Sequence, residues 1–130
     1  MSKKIFKEIY DLAAKIAYEN RDLIEKTGFS SVAAVIVGES GKYYIGITVG
    51  WYHSTCAEAV ALGNALQAGE RNIKYVTAVK YNKRTDKLES IIPCGVCREM
   101  FRQLNQDVQV VLLTNNAFTA KPVSELLPQS

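Results

Sequence analysis

Three cysteines constrain this chain more than any other feature. Cys94 and Cys97 stand at i and i+3 directly behind Pro93, and Cys56 stands far upstream where a second helical pattern begins. The first residues, Met1 to Phe6, carry no apolar block with a small-residue cleavage site, so no signal peptide is expected. An odd cysteine count without a leader is poorly explained by disulfides; a reduced thiol pair is a metal site or a redox site. If the three sulfurs share one ion, the fold must bring two distant helix starts to one place.

The patterning predicts elements that could do so. Ile5, Phe6, Ile9, Leu12, Ala13, Ile16 and Ala17 recur at three- and four-residue spacings, which predicts an amphipathic helix over 3–27 closed near Gly28. Two β-rich runs, 30–37 and 42–49, flank Gly38-Glu39-Ser40-Gly41 and read as a hairpin. Ser54 or Thr55 is placed to cap a helix running to Ala68 and stopping at Gly69. A third strand is expected over 73–81, a helix over 94–104, a fourth strand over 108–113, and a last helical turn over 123–127. Helices alternating with strands after the hairpin predict an α/β fold, a mixed sheet covered by helices. Both cysteine segments then fall where a loop enters a helix.

At 130 residues and 48% apolar content, the expectation is one domain, 1–130, with its own core. No apolar run is long enough to cross a membrane, which predicts a soluble, cytoplasmic protein with no membrane partner. The net charge of +3 is scattered and gives little support to a nucleic-acid partner. The densest basic segment, 80–87, reads as a solvated loop tip rather than a phosphate-binding patch, with Lys83, Arg84 and Lys87 around Thr85-Asp86.

The thiols suit zinc. Cys94 and Cys97 share one face of a first helical turn, and Cys56 opens the other helix, where the positive dipole end favours thiolate. Three protein ligands leave one tetrahedral position for water, the mark of a catalytic rather than a structural zinc. Glu58 lies in the same turn as Cys56, within reach of that water as a proton carrier. Its spacing from Thr55 equally fits a capping box. Arg98 is a candidate for charge compensation or a solvent-facing helix residue.

Cys56-Ala57-Glu58 followed by Pro93-Cys94-Gly95-Val96-Cys97-Arg98 resembles the zinc signature of the cytidine deaminase superfamily. The resemblance implies a three-layer α-β-α fold, one Zn²⁺ per chain held by Cys56, Cys94 and Cys97, and Glu58 as catalytic residue. It further implies hydrolytic removal of the C4 amine from a small cytosine nucleoside, and a homo-oligomer, a tetramer by resemblance. Cysteine in the first ligand position resembles the branch acting on free nucleosides. Ser31-Val32-Ala33, Ala61-Leu62-Gly63 and Glu125-Leu126-Leu127-Pro128 resemble blasticidin S deaminase and cytidine deaminase sequences, so a cytosine nucleoside antibiotic such as blasticidin S is the alternative substrate.

The chain departs from that pattern where ribose is held. The family's Asn and Glu on the second strand correspond to Thr48 and Gly50. Its base-stacking Phe corresponds to Phe29, or Ser31 stands nearest instead. Phe29 could equally be core. Trp51 and Tyr52 are pocket candidates or buried packing residues. Two other readings compete. His53 with the three cysteines would make a closed Cys₃His structural zinc site, and Cys94-Gly95-Val96-Cys97 alone would make a redox motif. The first leaves Glu58 unexplained; the second leaves Cys56 unexplained.

Overall fold

The computed structural model describes residues 2–50, 55–92, 95–104 and 108–126. Helix α1 (Ser2–Glu19) buries Phe6, Ile9, Ala13, Ala14 and Ala17, the stripe that its spacing predicts. The helix expected over 3–27 is in fact two. Asn20 Nδ2 donates to the Ile16 carbonyl at 2.8 Å and Arg21 Nη1 donates to the Tyr18 carbonyl at 2.7 Å. Side chains thus take up carbonyls of the last turn, and the chain bends before α2 (Leu23–Thr27). Helix α2 closes at Gly28, whose φ of 79° is left-handed and whose N–H donates to Ile24.

The expected hairpin is present as β1 (Val32–Gly38) and β2 (Tyr43–Ile47), antiparallel with Ala34 opposite Gly46. Strand β3 (Ile73–Asn82) pairs antiparallel with the other side of β1, and β4 (Lys87–Ser90) folds back onto the end of β3. Strand β5 (Gln109–Thr114) runs parallel to β3 and carries β6 (Ala117–Pro122) antiparallel on its far side. The sheet is therefore mixed, in the order β2-β1-β3-β5-β6 with β4 also on β3.

Strands β4 and β6 exceed the expected four, and the reason is the same for both. Their residues alternate between exposed and half-buried, so neither has an apolar run. The segment 80–87 is not a loop throughout: Lys80 to Asn82 complete β3, Lys87 opens β4, and the turn spans 83–86. The β5–β6 turn is made by Asn115 and Asn116, both at positive φ, 52° and 64°.

Alternation along β1 sorts the core into two layers. Val35 and Val37 face α1, with Val79 of β3 and Val111 of β5. Val32, Ala34 and Ile36 face α3 (Ala57–Gln67) and α4 (Gly95–Gln103), packing with Ala57, Ala61, Leu62, Ala65 and Phe101. The fold is the three-layer α-β-α arrangement that the resemblance implies. The expected last helical turn is a 3₁₀ turn, Val123–Leu126; Leu127 lies outside the described residues. No helix among the described residues is long and apolar enough to cross a membrane.

Helix α3 lies on β2 with almost no spacing between their backbones. A Cβ built on buried Gly46 would overlap the Ala61 amide nitrogen and the Ala57 carbonyl oxygen, and would stand 2.9 Å from the Val60 carbonyl carbon. Asn64 Nδ2 adds a bond to the Ile45 carbonyl at 2.7 Å. Because these obstacles are backbone, they cannot swing aside. Gly46→Ala is expected to lower stability by about 1–3 kcal/mol through overpacking. Gly63→Ala, on the same helix with open space around it, should raise stability by about 1 kcal/mol. Urea unfolding of the two variants beside the parent checks both signs.

Candidate active site

Helix α3 starts one residue later than a Thr55 cap predicts and two later than a Ser54 cap predicts. Thr55 is extended and exposed, and exchanges both backbone hydrogen bonds with Val49, at 2.8 and 3.1 Å. Cys56 is therefore the N-cap, at φ −65° and ψ 148°; its carbonyl accepts from Ala59 and Val60, and its side chain makes no capping bond. This removes the capping-box account of Glu58, which requires the cap three residues before the carboxylate. Ser54 lies outside the described residues.

Glu58 is 2% exposed, in the first turn of α3. A carboxyl is seldom buried without a task or a partner. Burial pushes its pKa above the ordinary carboxyl value, against a hydrogen bond from its own backbone that pulls the other way. Cys97 sits in the first turn of α4, 1% exposed, in the core cluster that includes Ala57 and Val32; half-buried Cys56 packs against the same cluster. Two helix starts thus converge on one side of the sheet. The loops that lead to them leave β2 and β4, on either side of the β1–β3 pair: Val49, just beyond β2, leads toward Cys56, while the Ile91 N–H, just beyond β4, donates to Ala78 of β3 at 3.0 Å on the way to α4.

Cys94 and His53 lie outside the described residues, and among the described residues no group of three or more potential metal ligands forms. The part of the donor set that is described fits zinc: two thiol-bearing residues at helix starts, one core cluster, and a buried carboxyl in the first turn of the helix that Cys56 caps.

Arg98 is not a solvent-facing helix residue. It is half-buried, and Nη1 donates to the Leu126 carbonyl, tying α4 to the closing 3₁₀ turn; its Nε is buried with no partner among the described residues. Of the pocket candidates, Ser31 is 3% exposed and its hydroxyl donates to the Ala17 carbonyl at 2.5 Å, toward α1. Phe29 is half-buried beside a cavity of about 340 Å³ that also reaches Ser31. Thr48 is half-buried, its N–H donating to Val32 at 3.0 Å. Trp51 and Tyr52 lie outside the described residues. Sequence reasoning missed Gly46 as the support of α3 and Leu126 as the partner of Arg98. Only the first had a signal, a glycine inside an otherwise β-rich run.

Residues 7–114 match the family model described as the cytidine and deoxycytidylate deaminase zinc-binding region. The chain is 26% identical over 120 residues to blasticidin-S deaminase of Bacillus cereus, covering 88% of this chain and 86% of that one. It is 34% identical over 79 residues to a cytidine deaminase of Aeromonas hydrophila, covering 57% of this chain and 23% of that one. The crystal structure of cytidine deaminase from Burkholderia pseudomallei superposes with a TM-score of 0.67 at 26% identity, covering 92% of this chain and 97% of that one. Fold and matches together define a zinc-dependent deaminase, a hydrolase acting on C–N bonds. The chain belongs to the cytidine and deoxycytidylate deaminase family.

Arg98→Ala should release the closing turn. Amide exchange at Val123 to Leu126 is expected to rise by about tenfold or more, the effect of losing one charge-assisted bond, with Arg98→Lys intermediate. Hydrogen-exchange mass spectrometry reads this directly.

Proposed function

We propose that this protein removes the C4 amine of a cytosine nucleoside by hydrolysis, with Cys56, Cys94 and Cys97 as zinc ligands and Glu58 as the proton carrier. The observation that carries the reading is the burial of Glu58 in the first turn of the helix that Cys56 caps, on the cluster shared with Cys97. The zinc, when bound, lowers the pKa of a water and so supplies a nucleophile near neutral pH.

The chain's own residues do the rest. The reaction replaces the C4–N bond by a C4–O bond: one water is consumed and one ammonia leaves. The Glu58 carboxylate takes one proton from the water and delivers it to ring N3, then takes the proton that remains on the oxygen joined to C4 and passes it to the departing amine, which leaves as ammonia with the carboxylate restored. Burial suits this task, because a carboxyl screened from bulk solvent keeps the proton for the substrate. The dipole ends of α3 and α4 stabilise negative charge on the thiolates.

Cytidine and deoxycytidine are the first candidates. Blasticidin S is the second reading, favoured by the relative of that name aligning over 88% of the chain, and by Thr48 and Gly50 standing where the ribose-holding pair is expected. Release of ammonia from a panel of cytidine, deoxycytidine, cytosine and blasticidin S separates these. We further propose a cytoplasmic, single-domain homo-oligomer, a tetramer by family likeness.

Glu58→Gln should keep its zinc and lose about 10²–10⁴-fold in ammonia release, the contribution of a positioned acid–base group. Metal analysis and turnover are measured separately. Undiminished turnover, or loss of zinc with the carboxyl, would sink the assignment, and a closed Cys₃His site would show no turnover to lose. In a second experiment, chelation of the holoprotein should unmask three titratable thiols, whereas a redox pair would show a reversible disulfide.

A further inference from the structure

Strand β3 changes neighbours along one edge, and the change falls at the root of a ligand loop. Its first half pairs with β5, Tyr75 opposite Gln109 and Val76 opposite Val110; its second half pairs with β4, from Val79 opposite Ser90 to Asn82 opposite Lys87. If the parallel ladder continued past Val76, the Ala78 carbonyl would accept from the Leu113 N–H. The end of β4 separates that pair. The Ile91 N–H donates to the Ala78 carbonyl at 3.0 Å, and the Leu113 N–H donates to Ser90 Oγ at 2.9 Å. From β3 itself, the buried Thr77 Oγ1 donates to the Val111 carbonyl at 2.9 Å. Hydroxyls therefore tie β5 to both of its neighbours where the β3–β5 register ends.

These hydroxyls differ in what they hold. Thr77 lies inside β3, opposite Val35 of β1, and its bond stays within the sheet. Ser90 ends β4, and Gly95 already opens α4. Between them, half-buried Ile91 packs against the cluster that holds Cys97 and Phe101, whereas Ile92 is exposed. Ser90 and Ile91 are thus the last described anchors before the helix start that carries Cys97 in its first turn. The Ile91 tie is main chain, and any residue but proline could make it. The Ser90 tie needs a side-chain acceptor, because the carbonyl that the ladder would offer Leu113 is already taken by Ile91.

We propose that Ser90 is a positioning residue of the zinc site, whose hydroxyl fixes on β5 the root of the loop leading to α4 and Cys97. The inference rests on the zinc deaminase reading and adds to it a residue that acts through the loop rather than on metal or substrate. A ligand loop with a fixed root loses less conformational freedom when its thiolate closes on an ion, so the tie raises metal affinity by preorganisation. Removal of the hydroxyl takes the acceptor from the Leu113 N–H and frees the root to shift. Thr77, whose bond joins two strands and no loop, supports the fold and leaves the metal unaffected.

The test compares Ser90→Ala, Ser90→Thr and Thr77→Val with the parent as zinc-loaded full chains. Release of zinc to a chromogenic chelator is timed, and the visible d–d and thiolate charge-transfer bands are recorded after exchange of zinc for Co²⁺. Ser90→Ala should release zinc about tenfold or more faster than the parent and alter the cobalt bands. Ser90→Thr keeps the hydroxyl and should restore both. Thr77→Val should lower the urea midpoint while release and bands stay at parental values. Parental release and bands in Ser90→Ala would overturn the proposal, as would failure of Ser90→Thr to restore them. An equal disturbance in Thr77→Val would do the same, since it would mark both hydroxyls as general supports of the sheet. A parent that binds neither zinc nor Co²⁺ would remove the metal centre and this role together. A parent that holds zinc yet releases no ammonia from any cytosine nucleoside would instead overturn the deaminase reading, and the release rates would still decide Ser90.

Discussion

The contact on which the site depends is backbone against backbone. Helix α3 approaches β2 so closely that only glycine fits at position 46, with Ala57 and Ala61 as the facing turns. Small residues on both sides shorten the distance between helix and sheet, and Asn64 fixes the helix along its length through the Ile45 carbonyl. The N-terminus of α3 is thereby held at the end of the sheet, with Cys56 as cap and Glu58 turned inward. A longer side chain at 46 would lift that end of the helix, and the carboxyl would move with it.

Convergence of the second helix follows from chain crossover. Strand β5 runs parallel to β3, so the chain must return across a face of the sheet, and α4 makes that return beside α3. Cys97 and Phe101 are buried on the same cluster as Ala57 and Ala61, and Arg98 draws the closing 3₁₀ turn against α4. Helix α1 covers the opposite face. Chemistry and support are thus divided by the sheet: thiols and Glu58 on one side, a plain apolar stripe on the other.

The proposed site was legible as a candidate because it is written in residue types that have few other reasons to recur at that spacing, Cys56, Glu58, Cys94 and Cys97, of which the structure describes Cys56, Glu58 and Cys97. The hairpin β1–β2 and helix α1 were legible from apolar periodicity. What escaped was carried by polar residues. Asn20 and Arg21 ended α1 by bonding back to its own carbonyls, which the hydrophobic stripe does not report. Strands β4 and β6 expose alternate residues, so pairing with β3 and β5 holds them where burial alone would not. Asn115-Asn116 was a readable sign of a tight hairpin. The α3 start misled because Thr55 has the chemistry of a cap, yet its backbone is already committed to Val49. No pattern in the chain announces that Arg98 meets Leu126, a contact that exists only in three dimensions.

The end of the sheet combines a rigid frame with replaceable contents. Main-chain pairing decides where Thr48, Val32 and Lys80 stand, and neither the half-buried Thr48 nor the exposed Lys80 contributes much to the core. Exchange of either residue would therefore alter shape or charge at this end of the sheet while the core packing of Val32, Ala34 and Ile36 stays as it is. Variation along that rung therefore needs no new loops, because the main chain that holds it is fixed by pairing rather than by the side chains it carries.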